Sequence, residues 1–294
     1  MPLVPVFDPV YRFWHLRRVW QLALIAPMLG VILATWHPLG TSWLTTPHLA
    51  AGLLAVWAVI AALHLICWPR HPVEVLAWSL TLGAGLGLAP VIMGLGAVAA
   101  AVLLIPLLAL ACHRVTRRAV FSGPLVGHHF HAACHSDLAP AHIVHALRLT
   151  PGTSDPFRQT GPGDAQGQFL HTTPVPPELN PAAGDVWETR ARVVDESALH
   201  QLQALIPLDE PHKETRILLR AEASGHGSRV TMDEFETGLP LGCAVLFGLI
   251  GLHEDTLRAR IDHSQGLPSR TIRAAAGTSP LDGLRLAGRR LLAR

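Results

Sequence analysis

A histidine-rich run at residues 127–135, GHHFHAACH, is the part of the sequence best suited to chemistry. Neutral imidazole is a common protein ligand for transition metals, so a metal site is one interpretation. An oxygen-activating di-iron site in a membrane protein would need several separated HxxHH and HxxxH clusters. Only His131 with His135 and His142 with His145 approach such spacing, and no HxxHH motif occurs. The spacing favours a structural or pocket-lining role for these histidines, and no metal is predicted.

The same run has the alternation of a half-buried β-strand. A period of two places His129, His131 and His135 on one face and Phe130 and Cys134 on the other. A capping serine, an aspartate and a proline follow directly, which predicts a helix immediately after the strand.

Composition divides the chain into differently built parts. Half of its 294 residues are hydrophobic, only 15% are charged, and the mean hydropathy is +0.34. These values exclude a disordered, nucleic-acid-binding or ordinary soluble protein. Charges of both signs become frequent only in the C-terminal part. We therefore predict a transmembrane region at 1–118, a soluble domain at 119–268 and a basic tail at 269–294.

The first of these parts has the composition of a membrane bundle. No Asp, Glu, Lys or Arg occurs within residues 19–69 or 75–113, and each run is longer than the roughly 20 apolar residues that cross a bilayer. Glycines and prolines interrupt both runs. The pattern predicts four spans, near residues 18–36, 48–67, 75–91 and 95–112.

Arginine placement predicts the orientation of these spans. Arginines precede the first span, lie between the second and third and follow the fourth, whereas the loops at 37–47 and 90–95 contain none. Because cytoplasmic flanks retain positive charge, both termini are expected in the cytoplasm. Lysine occurs once, at Lys213, among 23 basic residues, a bias typical of a GC-rich bacterium. The protein is expected to cross the bacterial inner membrane several times.

Histidines of this bundle offer a second kind of chemistry. Paired imidazoles on different helices could ligate haem and make the protein a redox carrier, and the candidates are His37, His48, His64 and His113. All four lie near predicted interfaces, where imidazole is tolerated. We therefore predict no cofactor and keep haem as an alternative.

The soluble part alternates strand and turn signals before one long helical pattern. A hairpin is predicted from Thr215 to Glu236 around the turn SGHGS. Residues 241–261 then follow a period of 3.6, which predicts one long amphipathic helix. Asp255 and Arg260 are among the side chains assigned to its solvent-exposed face. The order of elements is that of an α+β domain.

At this point the sequence resembles the START-like superfamily of polyketide cyclases, lipid-transfer domains and Bet v 1-type proteins. The resemblance covers about residues 127–265. It is carried by the order of several short motifs, which are the His-rich strand before SDLAP, then GQF, GDVWE, VVDE and GHGSRVT before Leu239-Pro240.

The resemblance implies a helix-grip fold, in which a curved antiparallel sheet surrounds a long C-terminal helix and encloses a cavity. Such a cavity suits a lipid, an isoprenoid quinone or a polyketide-like molecule, because apolar walls favour apolar ligands. The family has no universal catalytic residue, so none is assigned. The candidate cavity residues are His129, His131, His135, Trp187, Leu219, Met232, Leu246 and Ile250.

Three functions follow from this reading. The favoured one is a non-catalytic binder of an apolar small molecule or lipid, held at the membrane, with no nucleic-acid partner and its oligomeric state left open. The second is a cyclase or aromatase, which would require cavity-facing groups among His129, His131, Arg190, Arg192 and Arg216. The third is the haem-binding redox bundle.

Overall fold

The computed structural model describes residues 7–36, 47–69, 71–94, 104–174 and 186–272. They belong to two compact units, whose main parts are Pro9–Gly123 and Pro124–Ala276. The predicted basic tail lies largely outside the described residues. Each unit is considered by itself.

The first unit is helical throughout its described residues. Its helices are α1 (Pro9–His15), α2 (Arg17–Leu22), α3 (Ile25–Trp36), α4 (Pro47–Cys67), α5 (Pro72–Gly94) and α6 (Ile105–Phe121).

Three segments of this helical unit are long and apolar enough to cross a membrane, namely Arg17–Trp36, Ala50–Cys67 and Pro72–Ala89. They correspond to the first three predicted spans. The fourth predicted span, 95–112, falls partly on residues outside the described ranges and partly on α6. The four-span count therefore stays a prediction.

Glycines were predicted to interrupt this apolar run, but α5 continues through its own glycines from Pro72 to Gly94. Two of them instead allow a close helix contact. A Cβ atom on Gly83 would overlap the carbonyl oxygen of Ala26, and one on Gly30 would overlap the carbonyl oxygen of Gly83. Gly87 lies four residues beyond Gly83 and also faces α3. Small residues at this spacing let the backbones of apolar helices approach each other.

The second unit is an α+β domain with an eight-stranded antiparallel sheet in its described part. The strands are β1 (Leu125–Ser136), β2 (Ser154–Asp155), β3 (Arg158–Thr160), β4 (Gln168–Pro174), β5 (Val186–Glu196), β6 (His200–Pro207), β7 (Thr215–Ser224) and β8 (Gly227–Pro240). Their spatial order is β1-β8-β7-β6-β5-β4-β3-β2. Three helices accompany them, α7 (Pro140–Leu147), α8 (Leu241–Ile250) and α9 (Leu252–Ser264). A curved antiparallel sheet with a closing helical segment is the predicted helix-grip arrangement.

The predicted hairpin and first helix are confirmed. Strands β7 and β8 turn where Ser224 pairs with Gly227, and Gly225 has the positive φ of 61° that the turn requires. Helix α7 begins at Pro140, whose missing N–H costs nothing in the first turn.

The single long C-terminal helix was a wrong prediction. Gly251 adopts a left-handed conformation with φ 58° and ψ 37°, so it ends α8 before α9 begins. The change of direction alters the buried face. Asp255 was predicted to be solvent-exposed, but it is 2% exposed and accepts a hydrogen bond from the backbone N–H of Ile272 at 2.9 Å.

The core lies between the concave face of the sheet and helices α7 and α9. Leu257 of α9 and Ile143 of α7 are fully buried against Val230 of β8 and Ala132 of β1. Apolar burial at roughly 25 cal/mol per Å² stabilises this contact.

Candidate ligand-binding site

One row of side chains crosses the concave face of the sheet from β5 to β1. In register it runs through Val193, Gln203, Ile217, Glu234 and Phe130. Three members are apolar and two are polar. A largely apolar surface with a few fixed polar groups is the usual composition of a small-molecule site.

Four of the predicted cavity residues are buried. Leu219 and Met232 are buried at 4% and 5% exposure in the core that includes Leu257, and Leu246 and Ile250 are buried on α8. Trp187 is 46% exposed at the beginning of β5. The structure therefore brings Leu219 and Met232 together on the sheet but leaves Trp187 near its edge.

The three histidines of β1 lie on the opposite, exposed face. His129, His131 and His135 alternate with the buried Phe130 and Cys134. The predicted division of the strand into two faces is correct, but the apolar face packs inward because its burial removes more apolar surface from water. These histidines do not line the concave face with the other candidates.

Two of these histidines share one carboxylate. His129 Nε2 and His131 Nδ1 lie 3.0 Å and 2.8 Å from the same oxygen of Asp233. Burial alone would raise the pKa of Asp233, but the hydrogen bonds from His131 and His129 outweigh it and hold the pKa below its usual value. These side-chain contacts link β1 to β8 on the outer face of the sheet.

The arginines that the enzyme hypothesis placed in the cavity are also on the outer face. Arg190, Arg192 and Arg216 are exposed, while their strand neighbour Ala191 is buried. They cannot act on a molecule bound at the concave face.

Two glutamines on β6 face inward, but only one of them has a hydrogen-bond partner for its amide oxygen. The amide oxygen of Gln201 accepts from the backbone N–H of Leu149 at 2.7 Å, and its amide nitrogen donates to the carbonyl of Leu149 at 3.0 Å and to Glu196 at 3.2 Å. Gln203 is 7% exposed, and its Oε1 is buried without a hydrogen-bond partner. Sequence patterning offered no signal for this difference, because both residues occupy equivalent positions of one strand.

Ionisable groups lie beside Gln203 along the row. His253 of α9 stacks on Phe130 with ring centroids 3.9 Å apart, and its Nε2 is 3.5 Å from the Glu234 carboxylate. Burial and the neighbouring Glu234 raise the pKa of Glu236 from 4.5 to about 7, against the opposing charges of His253 and Lys213. Glu236 is therefore a carboxyl group that exchanges its proton near neutrality.

Glu236 is expected to make the stability of the α+β unit depend on pH. Its pKa of about 7 when folded lies above the ordinary value of 4.5, so its contribution is fully present below pH 4.5 and is lost as pH rises towards and through 7. Glu236→Gln should raise stability by less than about 1 kcal/mol at pH 5 and by roughly 3 kcal/mol at pH 8. Urea unfolding of both proteins across this range measures the difference, and an equal gain at both pH values would contradict it.

The described residues contain no group of three or more His, Cys, Asp or Glu that could hold a metal ion. Of the haem candidates, His37 lies outside the described residues, and His64 Nε2 faces the carboxylate of Glu74 at 3.5 Å. Glu74 is 4% exposed at the start of α5. The contact with Glu74 gives His64 a neighbour within its own helical unit.

No family model and no curated protein matches the chain. Several solved structures resemble it over about half its length. Ara h 8.0201 is 11% identical, with 48% of this chain and 99% of that chain covered and a TM-score of 0.32. Zhui aromatase/cyclase from Streptomyces sp. R1128 is 11% identical, with 48% and 94% covered and a TM-score of 0.35.

Norcoclaurine synthase from Thalictrum flavum is 11% identical, with 48% of this chain and 88% of that chain covered and a TM-score of 0.30. At these identities and TM-scores the neighbours do not bear on ligand or reaction. The helix-grip assignment rests on the sheet order and on the closing helices of this chain.

Proposed function

We propose that the α+β unit binds an apolar small molecule at its concave face, and that the ligand carries a hydrogen-bond donor. The observation that carries this proposal is the buried, unpartnered Oε1 of Gln203 between Val193 and Ile217. A buried acceptor without a donor costs about 1–3 kcal/mol. A ligand hydroxyl or N–H group at this atom would remove that cost and would orient the molecule.

The proposal includes a membrane anchor formed by the helical unit. Its support is the three apolar segments, which are long enough to cross a bilayer, and the arginine pattern that favours cytoplasmic termini in a bacterial inner membrane. A lipid with a hydroxyl or N–H group, or an isoprenoid quinone in its quinol form, dissolves in the same membrane. Tethering would therefore raise the effective concentration of ligand at the site.

Mass spectrometry of an organic extract tests the binding function. The full chain is purified in a mild detergent and compared with an unrelated membrane protein from the same cells. We expect one enriched apolar species that contains a hydroxyl or N–H group. Enriched haem would transfer the function to the helical unit, and an extract without any enriched species would contradict a resident ligand.

A second candidate function is a cyclase-type enzyme that uses the same face. It is favoured by Glu236, whose pKa of about 7 suits proton transfer, and by the contact between His253 and Glu234. The extract separates the two candidates, since a resident ligand is expected of a binder, whereas an enzyme releases its product.

A further inference from the structure

Two guanidinium groups meet at the C-terminal end of α7. Arg158 of β3 donates to the carbonyl oxygens of Leu147 and Arg148 at 3.0 Å and 2.7 Å. Arg260 of α9 donates to the same Leu147 carbonyl. Two positive side chains from distant parts of the chain therefore converge on one oxygen atom.

Only one carboxylate accompanies these two charges. Asp155 Oδ2 accepts from Arg158 Nε at 3.1 Å, and Asp155 Oδ1 accepts from the backbone N–H groups of Phe157 and Arg158 at 2.7 Å and 3.0 Å. Within the described ranges, no carboxylate lies within ion-pair distance of Arg260. Asp155 forms its direct ion pair with Arg158 and acts on Arg260 only at longer range, so two guanidinium groups share one carboxylate.

A third basic side chain beside this pair is neutral. His171 is 6% exposed and its Nδ1 lies 3.0 Å from Thr189 Oγ1. Burial, followed by the charges of Arg158 and Arg260, lowers the pKa of His171 to about 4. The imidazole therefore adds no positive charge at neutral pH, and the net charge of the group comes from Arg260.

Capping of α7 does not by itself explain why the charged side chain of Arg260 is placed at this helix end. A positive side chain at a helix C-terminus interacts favourably with the helix dipole, but Arg158 already bonds two of the terminal carbonyls. Burial and the like charge of Arg158 outweigh the opposing charge of Asp155 and lower the pKa of Arg260 to about 9, so its charged form is disfavoured there. A partly buried charge without a direct ion-pair partner is costly, and an anion would supply that partner.

We propose that Arg260, together with Arg158, binds an anionic oxygen group, either a carboxylate or a phosphate. The planar guanidinium presents parallel N–H donors that match both anions. Arg260 has one carbonyl partner in the described part of the chain and retains further donors. The inference rests on the proposed function in one respect, since it assigns an acidic head group to the apolar ligand.

Titration calorimetry with matched probes tests this site. Decanoate, decanol and inorganic phosphate are added separately to the full chain in one fixed concentration of a non-ionic detergent. Arg260→Met removes the charge but keeps an apolar side chain. Arg260→Lys keeps the charge but lacks the planar guanidinium group. Arg258→Met is the matched control, because Arg258 lies on the same helix with its side chain 42% exposed.

The wild-type protein is expected to bind decanoate about tenfold more tightly than decanol. Arg260→Met should abolish this preference, Arg260→Lys should reduce it, and Arg258→Met should retain it. Phosphate binding that disappears in Arg260→Met would support the site with a free ion as its source. A decanoate preference without phosphate binding would support it with the head group of an amphiphile.

Equal affinity of the wild-type protein for decanoate and decanol, without phosphate binding, would overturn the anion site and leave the apolar binding function intact. Retention of the preference in both Arg260 variants would overturn the assignment to Arg260. Binding of none of the three probes would also overturn the anion site, while the organic extract judges the binding function independently.

Discussion

Gln203→Leu is expected to stabilise the α+β unit in the absence of ligand and to weaken ligand retention. The substitution removes a buried acceptor that has no donor and replaces it with an apolar side chain of similar size between Val193 and Ile217. The gain should be about 1–2 kcal/mol in the free energy of unfolding. Urea unfolding of ligand-stripped protein measures it, and the organic extract measures the retained ligand.

Gln201→Leu is the matched control, and its effect on stability should have the opposite sign. Gln201 faces the same side of the same strand, but its amide bonds both backbone groups of Leu149. Removing the amide leaves a buried N–H and a buried carbonyl without partners, at a cost of about 3 kcal/mol. If both variants changed stability in the same direction, the distinction drawn between the two glutamines would be wrong.

Gly83→Leu is expected to disrupt the helical unit. Even a Cβ atom at this position would overlap the backbone of Ala26, so α3 and α5 would have to separate. Overpacking of this kind costs about 3 kcal/mol. Gly52→Leu on α4 is the control, because a Cβ there meets nothing within 4 Å.

Size-exclusion chromatography and thermal unfolding in one detergent compare the two glycine variants. Gly83→Leu should aggregate or unfold at a lower temperature, and Gly52→Leu should behave as the wild-type protein does. Equal behaviour of the two variants would show that the close contact between α3 and α5 is not required.

The period of the hydrophobic pattern predicted much of the α+β unit. Alternation along β1 and the turn at Gly225 depend on local chemistry, and both were correctly placed. Alternation alone does not say which face is inside. The histidine face was predicted to line the cavity, whereas the packing of Phe130 and Cys134 decided the orientation.

Glycine shows why local signals fail elsewhere. Gly251 ends a helix because its φ is positive, whereas Gly83 continues a helix and packs against α3. Both are single glycines within apolar segments, so only tertiary contacts separate them. Helix propensity is a weak guide where packing decides.

The polar groups of the two proposed sites were not predictable in the same way. Gln203 is distinguished from Gln201 by the position of Leu149, and Arg260 from Arg258 by the end of α7. These contacts join residues far apart in the chain. A single sequence contains no direct measure of such distances.

The sheet order has a consequence for synthesis on the ribosome. Strand β1 pairs with β8, so the contact between His131 and Asp233 cannot form until another 102 residues have been synthesised. At translation rates of 5–20 residues per second, this delay is roughly 5–20 s. Throughout it the inward face of β1, with Phe130 and Cys134, has no sheet partner. Nascent chains that stop before β8 therefore expose an unpaired strand and its apolar face, which favours aggregation.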